Sequence, residues 1–138
     1  MTRILLVEDH ELNRYILSKL LIKMGFAVEV AQNGVEAIEK SKLGGFNVIL
    51  MDMRLPDMNG WEVTEIIKSD PQLQDIPIIG LSAYDEGDAR EQALTFGCDD
   101  YDTKPIVLER LIQKIGNFLT LKHLPSGAQP YLQCSEPD

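Results

Sequence analysis

Residues 48–60, VILMDMRLPDMNG, set four apolar side chains against an aspartate and then a short loop carrying a proline and an Asn-Gly pair. A continuous apolar run bounded by turn residues reads as a strand buried on both faces. Asp52 therefore stands where such a strand ends. A carboxylate ionised at that position needs something to stabilise it.

Working outward, similar short runs occupy residues 4–7, 27–31 and 78–81, with a weak one around Tyr101. Helical spacing fills the gaps. Leu12, Ile16, Leu20 and Met24 recur every four residues, Leu17 and Leu21 broaden the stripe, and Gly25 supplies a stop. Asn33 followed by Glu36, and Asn59 followed by Glu62, are Asn/Glu versions of a capping box and start the second and third helices. A weaker helix covers about 88–96 and closes at Gly97. Pro105 opens a fifth, with Leu108, Leu111, Ile112, Ile115 and Leu119 on one face. Strand and helix alternating five times predict a doubly wound parallel sheet joined by right-handed crossovers. Beyond about Lys122 the pattern dissolves, so 122–138 are expected to form a flexible tail.

Composition narrows the partners. A chain of 138 residues, 44% hydrophobic and 25% charged, suits a single globular domain. A net charge of −9 argues against nucleic-acid or anionic-membrane binding, which needs clustered lysine and arginine. Cys98 and Cys134 lack metal-ligand spacing and predict free thiols in a reducing compartment. No run is long enough for a signal peptide or a membrane helix, and the expected location is cytoplasmic.

Doubly wound sheets bind ligands beyond the carboxyl ends of their strands. The residues just after the strands are Glu8 and Asp9, Asp52, Ser82, and Lys104 followed by Pro105. Singly, each has an ordinary reading as a solvated loop acid, a helix cap or a turn hydroxyl. Together they put three carboxylates, a hydroxyl and an ammonium on one rim. Close carboxylates raise one another's pKa unless a cation intervenes. A hard dication such as Mg²⁺ meets that need and keeps coordination sites for phosphate oxygens. A carboxylate can then act as a nucleophile toward phosphorus, with the ammonium neutralising the transferring group.

The motifs VEDHELNR, MDMRLPDMNG, LSA and DDYDTKP, in that order and spacing, resemble the receiver domain of two-component response regulators. The resemblance covers roughly residues 2–121, so 1–121 is read as one receiver domain. It implies a flavodoxin-like (βα)5 fold with strand order 2-1-3-4-5. It implies Asp52 as phosphoacceptor, with Mg²⁺ held by Asp9, Asp52 and the backbone carbonyl of Arg54, and by Glu8 through water. Lys104 would pair with the phosphoryl group, Ser82 and Tyr101 would form the switch, and the Lys104–Pro105 bond would be cis. Ser82 would move to the phosphoryl group and Tyr101 would turn inward, repacking the surface of the fourth helix, fifth strand and fifth helix. Arg54 and Tyr84 flank the site and are expected to slow hydrolysis of the phosphoryl group.

The implied partners are a sensor histidine kinase or a histidine phosphotransfer protein upstream and a protein effector downstream. A stand-alone receiver is expected, with a receiver from a hybrid histidine kinase as the alternative. No chemistry beyond the protein's own phosphorylation and dephosphorylation is expected, so it is not read as an enzyme. Three positions depart from the family pattern: His10, Gly80, and Asp102 in a strand position usually apolar. A haloacid-dehalogenase-type phosphatase would want a second aspartate two residues after the nucleophile, where Arg54 stands. A dinucleotide binder needs a GxGxxG loop, which is absent.

Overall fold

The computed structural model describes residues 2–82 and 89–119. Its elements run β1 (Arg3–Val7), α1 (Glu11–Lys23), β2 (Ala27–Ala31), α2 (Gly34–Ser41), β3 (Val48–Asp52), α3 (Gly60–Ser69), β4 (Ile78–Ser82), α4 (Ala89–Thr95), β5 (Asp100–Thr103) and α5 (Leu108–Gly116). The strands form one parallel sheet in the order β2-β1-β3-β4-β5. Register aligns the strand ends: Val7 faces Ala31 and Met51, Asp52 faces Leu81, and Ser82 faces Thr103. All five carboxyl ends therefore meet on one rim. The expected fold and strand order are what the chain adopts.

Period-two alternation divides the strands between two cores. On one face Leu5, Val7, Ile49, Met51, Ile78 and Tyr101 pack with Ala37 of α2 and with Val63 and Ile67 of α3. On the other, Ile4, Leu6, Val48, Leu50, Ile79 and Leu81 pack with Leu17 and Leu21 of α1 and with Leu111, Ile112 and Ile115 of α5. Burying one such side chain contributes on the order of 2 kcal/mol. The central strands β1 and β3 are buried on both faces, which is why their sequences run apolar without alternating.

Both expected N-caps form. Asn33 Oδ1 accepts the Glu36 N–H at 2.8 Å and Asn59 Oδ1 accepts the Glu62 N–H at 2.9 Å. His10 fills the same role for α1, its Nδ1 accepting the Asn13 N–H at 3.4 Å. Gly25 ends α1 with φ +100°, a conformation that costs a side-chain-bearing residue and is open to glycine. Gly60 is needed for space: a Cβ there would lie 2.5 Å from the carbonyl oxygen of Asp52. That close approach sets α3 directly against the end of β3.

Two expectations need correcting. The stripe Leu12, Ile16, Leu20 does not face the core; these side chains are 59%, 47% and 39% exposed. At about 100° per residue a four-residue spacing advances roughly 40° per step, and Leu12 lies roughly 140° around the helix from Leu17. Leu17 and Leu21 carry the core contact instead. The fifth helix starts at Leu108 rather than at Pro105, because the chain stays extended through Val107 (φ −100°, ψ 109°). The proposed tail and its Cys134 lie outside the described residues, as does Tyr84. Cys98 is free and buried, and burial pushes its thiol up to about 11.

Candidate functional site

Asp52 closes β3 with only 4% of its surface exposed. Its Oδ1 accepts the Arg54 N–H at 3.0 Å and its Oδ2 accepts from Lys104 Nζ at 3.3 Å. Lys104 Nζ also donates to Glu8 Oε1 at 2.7 Å, so one ammonium spans two buried carboxylates. Glu8 Oε2 accepts the His10 N–H at 3.1 Å. Asp9 is exposed, and one carboxylate oxygen each from Glu8, Asp9 and Asp52 lie within 4.8 Å of one another.

Backbone ladders that overrun the strands hold these groups in place. The Glu8 N–H donates to Ala31 O, the Met53 N–H to Leu81 O, and the Lys104 N–H to Ser82 O. Arg14 of α1 braces the first loop by donating to the carbonyls of Glu8 at 2.9 Å and Asp9 at 3.2 Å. Asp57 braces the other side: its carboxylate accepts the Gly34 and Val35 N–H groups at 2.8 and 3.0 Å, capping α2 from the loop that follows Asp52. The Gly34 N–H holds the Asp57 carboxyl below the usual carboxylate range.

Burial pushes the Asp52 carboxyl up to about 7; the Arg54 N–H and Lys104 oppose this and Glu8 adds to it. Burial also presses Glu8 upward, but Lys104 and the His10 N–H more than offset it and hold Glu8 below its ordinary value. Lys104 is held above its ordinary value because Glu8 and Asp52 outweigh its own burial. Three carboxylates against one ammonium leave a surplus of two negative charges when all are ionised. A compact, oxygen-only donor set with that surplus fits a hard dication.

The structure thus brings Glu8, Asp9, Asp52 and Lys104 together as expected. Ser82 ends β4 on the same rim, half-buried. Arg54 is exposed, with its backbone directed at Asp52. Tyr101 is buried at 4% exposure in the core toward α3. The Lys104–Pro105 bond is cis, as the resemblance implied. Sequence reading missed the bracing by Arg14 and Asp57. Neither carries a distinguishing signal, since an arginine on a helix and an aspartate in a Pro-Asp turn are ordinary surface residues.

The chain belongs to the response regulator receiver domain family, whose model matches residues 4–116. Among its relatives is the polar-differentiation response regulator DivK of Brucella anthropi, 34% identical over 116 residues, covering 84% of this chain and 94% of that protein. Among solved structures, the receiver domain of a sensor histidine kinase from Pseudomonas aeruginosa superposes with a TM-score of 0.78 at 32% identity. That match covers 85% of this chain and 96% of the other, which has a magnesium ion coordinated in its active-site cleft. The receiver domain of Saccharomyces cerevisiae Ssk1, co-crystallised with the histidine phosphotransfer protein Ypd1, superposes at 0.80 with 31% identity, covering 91% and 93%. Among the described residues no helix is long and apolar enough to cross a membrane.

Proposed function

We propose that Asp52 accepts a phosphoryl group from a phosphohistidine on a sensor kinase or histidine phosphotransfer protein, in a Mg²⁺-dependent reaction in the cytoplasm. The observation that carries this is the placement of buried Asp52 within reach of Lys104, with oxygens of Glu8 and Asp9 inside 4.8 Å. A carboxylate oxygen of Asp52 attacks phosphorus, the P–N bond breaks with its electron pair passing to the imidazole, and an acyl phosphate forms. Asp9, Asp52 and the Arg54 carbonyl would hold Mg²⁺, with Glu8, already bonded to Lys104, supporting from behind. When bound, the ion neutralises charge on the transferring group. Lys104 supplies the remaining positive charge from the β5 side.

The donor surface follows from the face of α1 that the core leaves uncovered. Exposed Ile16 and Leu20 line a groove of about 450 Å³ with Pro105, Ile106 and Leu108, and Glu8 and Lys104 also line it. An apolar groove beside the reacting carboxylate suits an amphipathic helix that presents a phosphohistidine. The co-crystallised pair of Ssk1 and Ypd1, and the match over nearly all of DivK, support a receiver that works through protein contact.

Phosphorylation replaces one negative charge with about two and adds strong acceptor oxygens. Ser82 and Lys104 would bond them, and Tyr101 would fix the readout on the α4-β5-α5 surface that a protein effector recognises. Driving such a switch from 1:99 to 99:1 requires about 5.5 kcal/mol, within reach of a few charge-assisted hydrogen bonds. Arg54 and Tyr84 would shield the acyl phosphate from water. Incubation with acetyl phosphate and Mg²⁺ followed by intact-mass analysis tests the reading: the wild type gains one phosphoryl group and Asp52→Asn gains none. An unmodified wild type, or a modified Asp52→Asn, refutes it.

A further inference from the structure

Asp102 is 3% exposed on β5, with Oδ1 accepting from Arg110 Nε at 2.7 Å and from the Thr103 N–H at 2.8 Å. Its Oδ2 is buried and has no hydrogen-bond partner among the described residues. The Arg110 side chain is 41% exposed, and an ion pair open to solvent on one side contributes about 1 kcal/mol or less, so stability alone is a poor account of this one. Its geometry suggests another use. Besides Asp102, the Arg110 guanidinium reaches Thr103 twice, donating from Nη2 to the carbonyl at 3.3 Å and to Oγ1 at 3.4 Å.

The Thr103 carbonyl belongs to the peptide group that leads into Lys104. The other side of that peptide, the Lys104 N–H, donates to Ser82 O on β4. One peptide plane is therefore held by Arg110 at its oxygen and by Ser82 at its nitrogen, and the side chain that follows spans Glu8 and Asp52. We propose that Arg110, oriented by Asp102, is a positioning residue that sets the Thr103–Lys104 peptide and so aims Lys104 at the acceptor. The proposal rests on the phosphoacceptor reading. It also links α5 to the site by a short path: Arg110 sits on α5, one peptide away from the ammonium that contacts Asp52.

Arg110 does not touch the reacting atoms, so the test separates positioning from folding. The full-length wild type, Arg110→Gln, Arg110→Lys, the Asp102→Val/Arg110→Leu pair, Lys104→Ala and Lys104→Ala/Arg110→Gln are incubated with acetyl phosphate and Mg²⁺. The rate of modification is followed by intact mass, and Mg²⁺ affinity by fluorescence of Trp61, the single tryptophan. Because small misplacements of a reacting group cost large factors, Arg110→Gln slows modification about tenfold. Its Mg²⁺ affinity stays within about twofold, since no ligand is removed. Arg110→Lys keeps the charge without the fork and falls between. The apolar pair keeps its melting temperature and is slow all the same, which carries the test if Arg110→Gln does not fold. Placed on Lys104→Ala, Arg110→Gln adds no further slowing, the sign of two residues acting as one unit. An unslowed Arg110→Gln or apolar pair, or a full extra slowing on Lys104→Ala, overturns the proposal while the wild type is still modified. A wild type that takes no phosphoryl group overturns the phosphoacceptor reading and this one with it.

Discussion

Asp52 and Asp102 are buried almost equally, at 4% and 3% exposure, each near the end of a parallel strand with a cation bonded to it. Their surroundings differ in charge balance. Asp102 meets Arg110 one to one, and its strand neighbour Asp100 meets Lys114 at 3.4 Å in the same ratio. Asp52 shares a single lysine with Glu8 and also has Asp9 within reach. Burial of a carboxylate therefore does not by itself make a reactive centre. What sets Asp52 apart is the surplus of negative charge, which fits a dication and adds to the burial that holds its carboxyl up at about 7.

The contrast between the two aspartates is most exposed to Asp52→Asn against Asp102→Asn. The first is expected to abolish labelling by acetyl phosphate, and the second to leave the label on the protein. Loss of labelling in both would mean the two carboxylates are not distinct in role.

The next effect is on stability. The Asp52 carboxyl sits at about 7 in the folded chain against 3.8 as the ordinary value. Between those values the folded state keeps a proton that the unfolded state has lost, so folding weakens as pH rises through the window. The penalty is absent below the window and complete above it. Thermal melts of wild type and Asp52→Asn in metal-free buffer are expected to diverge with rising pH, the wild type being the less stable. Added Mg²⁺ narrows the gap by binding the folded state. Parallel curves across the window would remove the charge surplus as the distinguishing feature of Asp52.

Lys104→Ala removes the ammonium bonded to the Asp52 carboxylate and is expected to slow phosphorylation about a hundredfold. A rate close to wild type would assign that neutralisation elsewhere. Asp9→Asn, which deletes a carboxylate without disturbing a buried bond, is expected to weaken Mg²⁺ binding about tenfold or more by Trp61 fluorescence. Under the same titration Asp102→Asn stays near wild type, since its charge is already matched. The smallest effect belongs to Asp102→Val with Arg110→Leu, whose stability is expected within about 1 kcal/mol of wild type. A loss of several kcal/mol there would give the pair a structural role equal to its positioning one.

Much of this was legible in one dimension. The continuous apolar runs marked where the buried strands lie, since a strand covered on both faces has no polar side to show. The Asn-to-Glu spacings marked the starts of α2 and α3, because a cap is a contact between residues three apart. The ends of the strands then named Glu8, Asp9, Asp52, Ser82 and Lys104, which the folded rim holds as neighbours in space. The core face of α1 was not legible in the same way. Leu12, Ile16 and Leu20 form as regular a stripe as Leu17 and Leu21, and rotation of the helix against the sheet decides between them.

The set of elements, their order along the chain and the residue types at the strand ends were written in the sequence on its own, because periodicity and capping act between near neighbours. Only the tertiary structure decided which groups share a cation, that Asp57 caps a helix more than twenty positions away, and that Arg110 rather than solvent answers the charge of Asp102. Those outcomes depend on distances between residues separated along the chain. Periodicity does not encode such distances, and burial makes each of them matter.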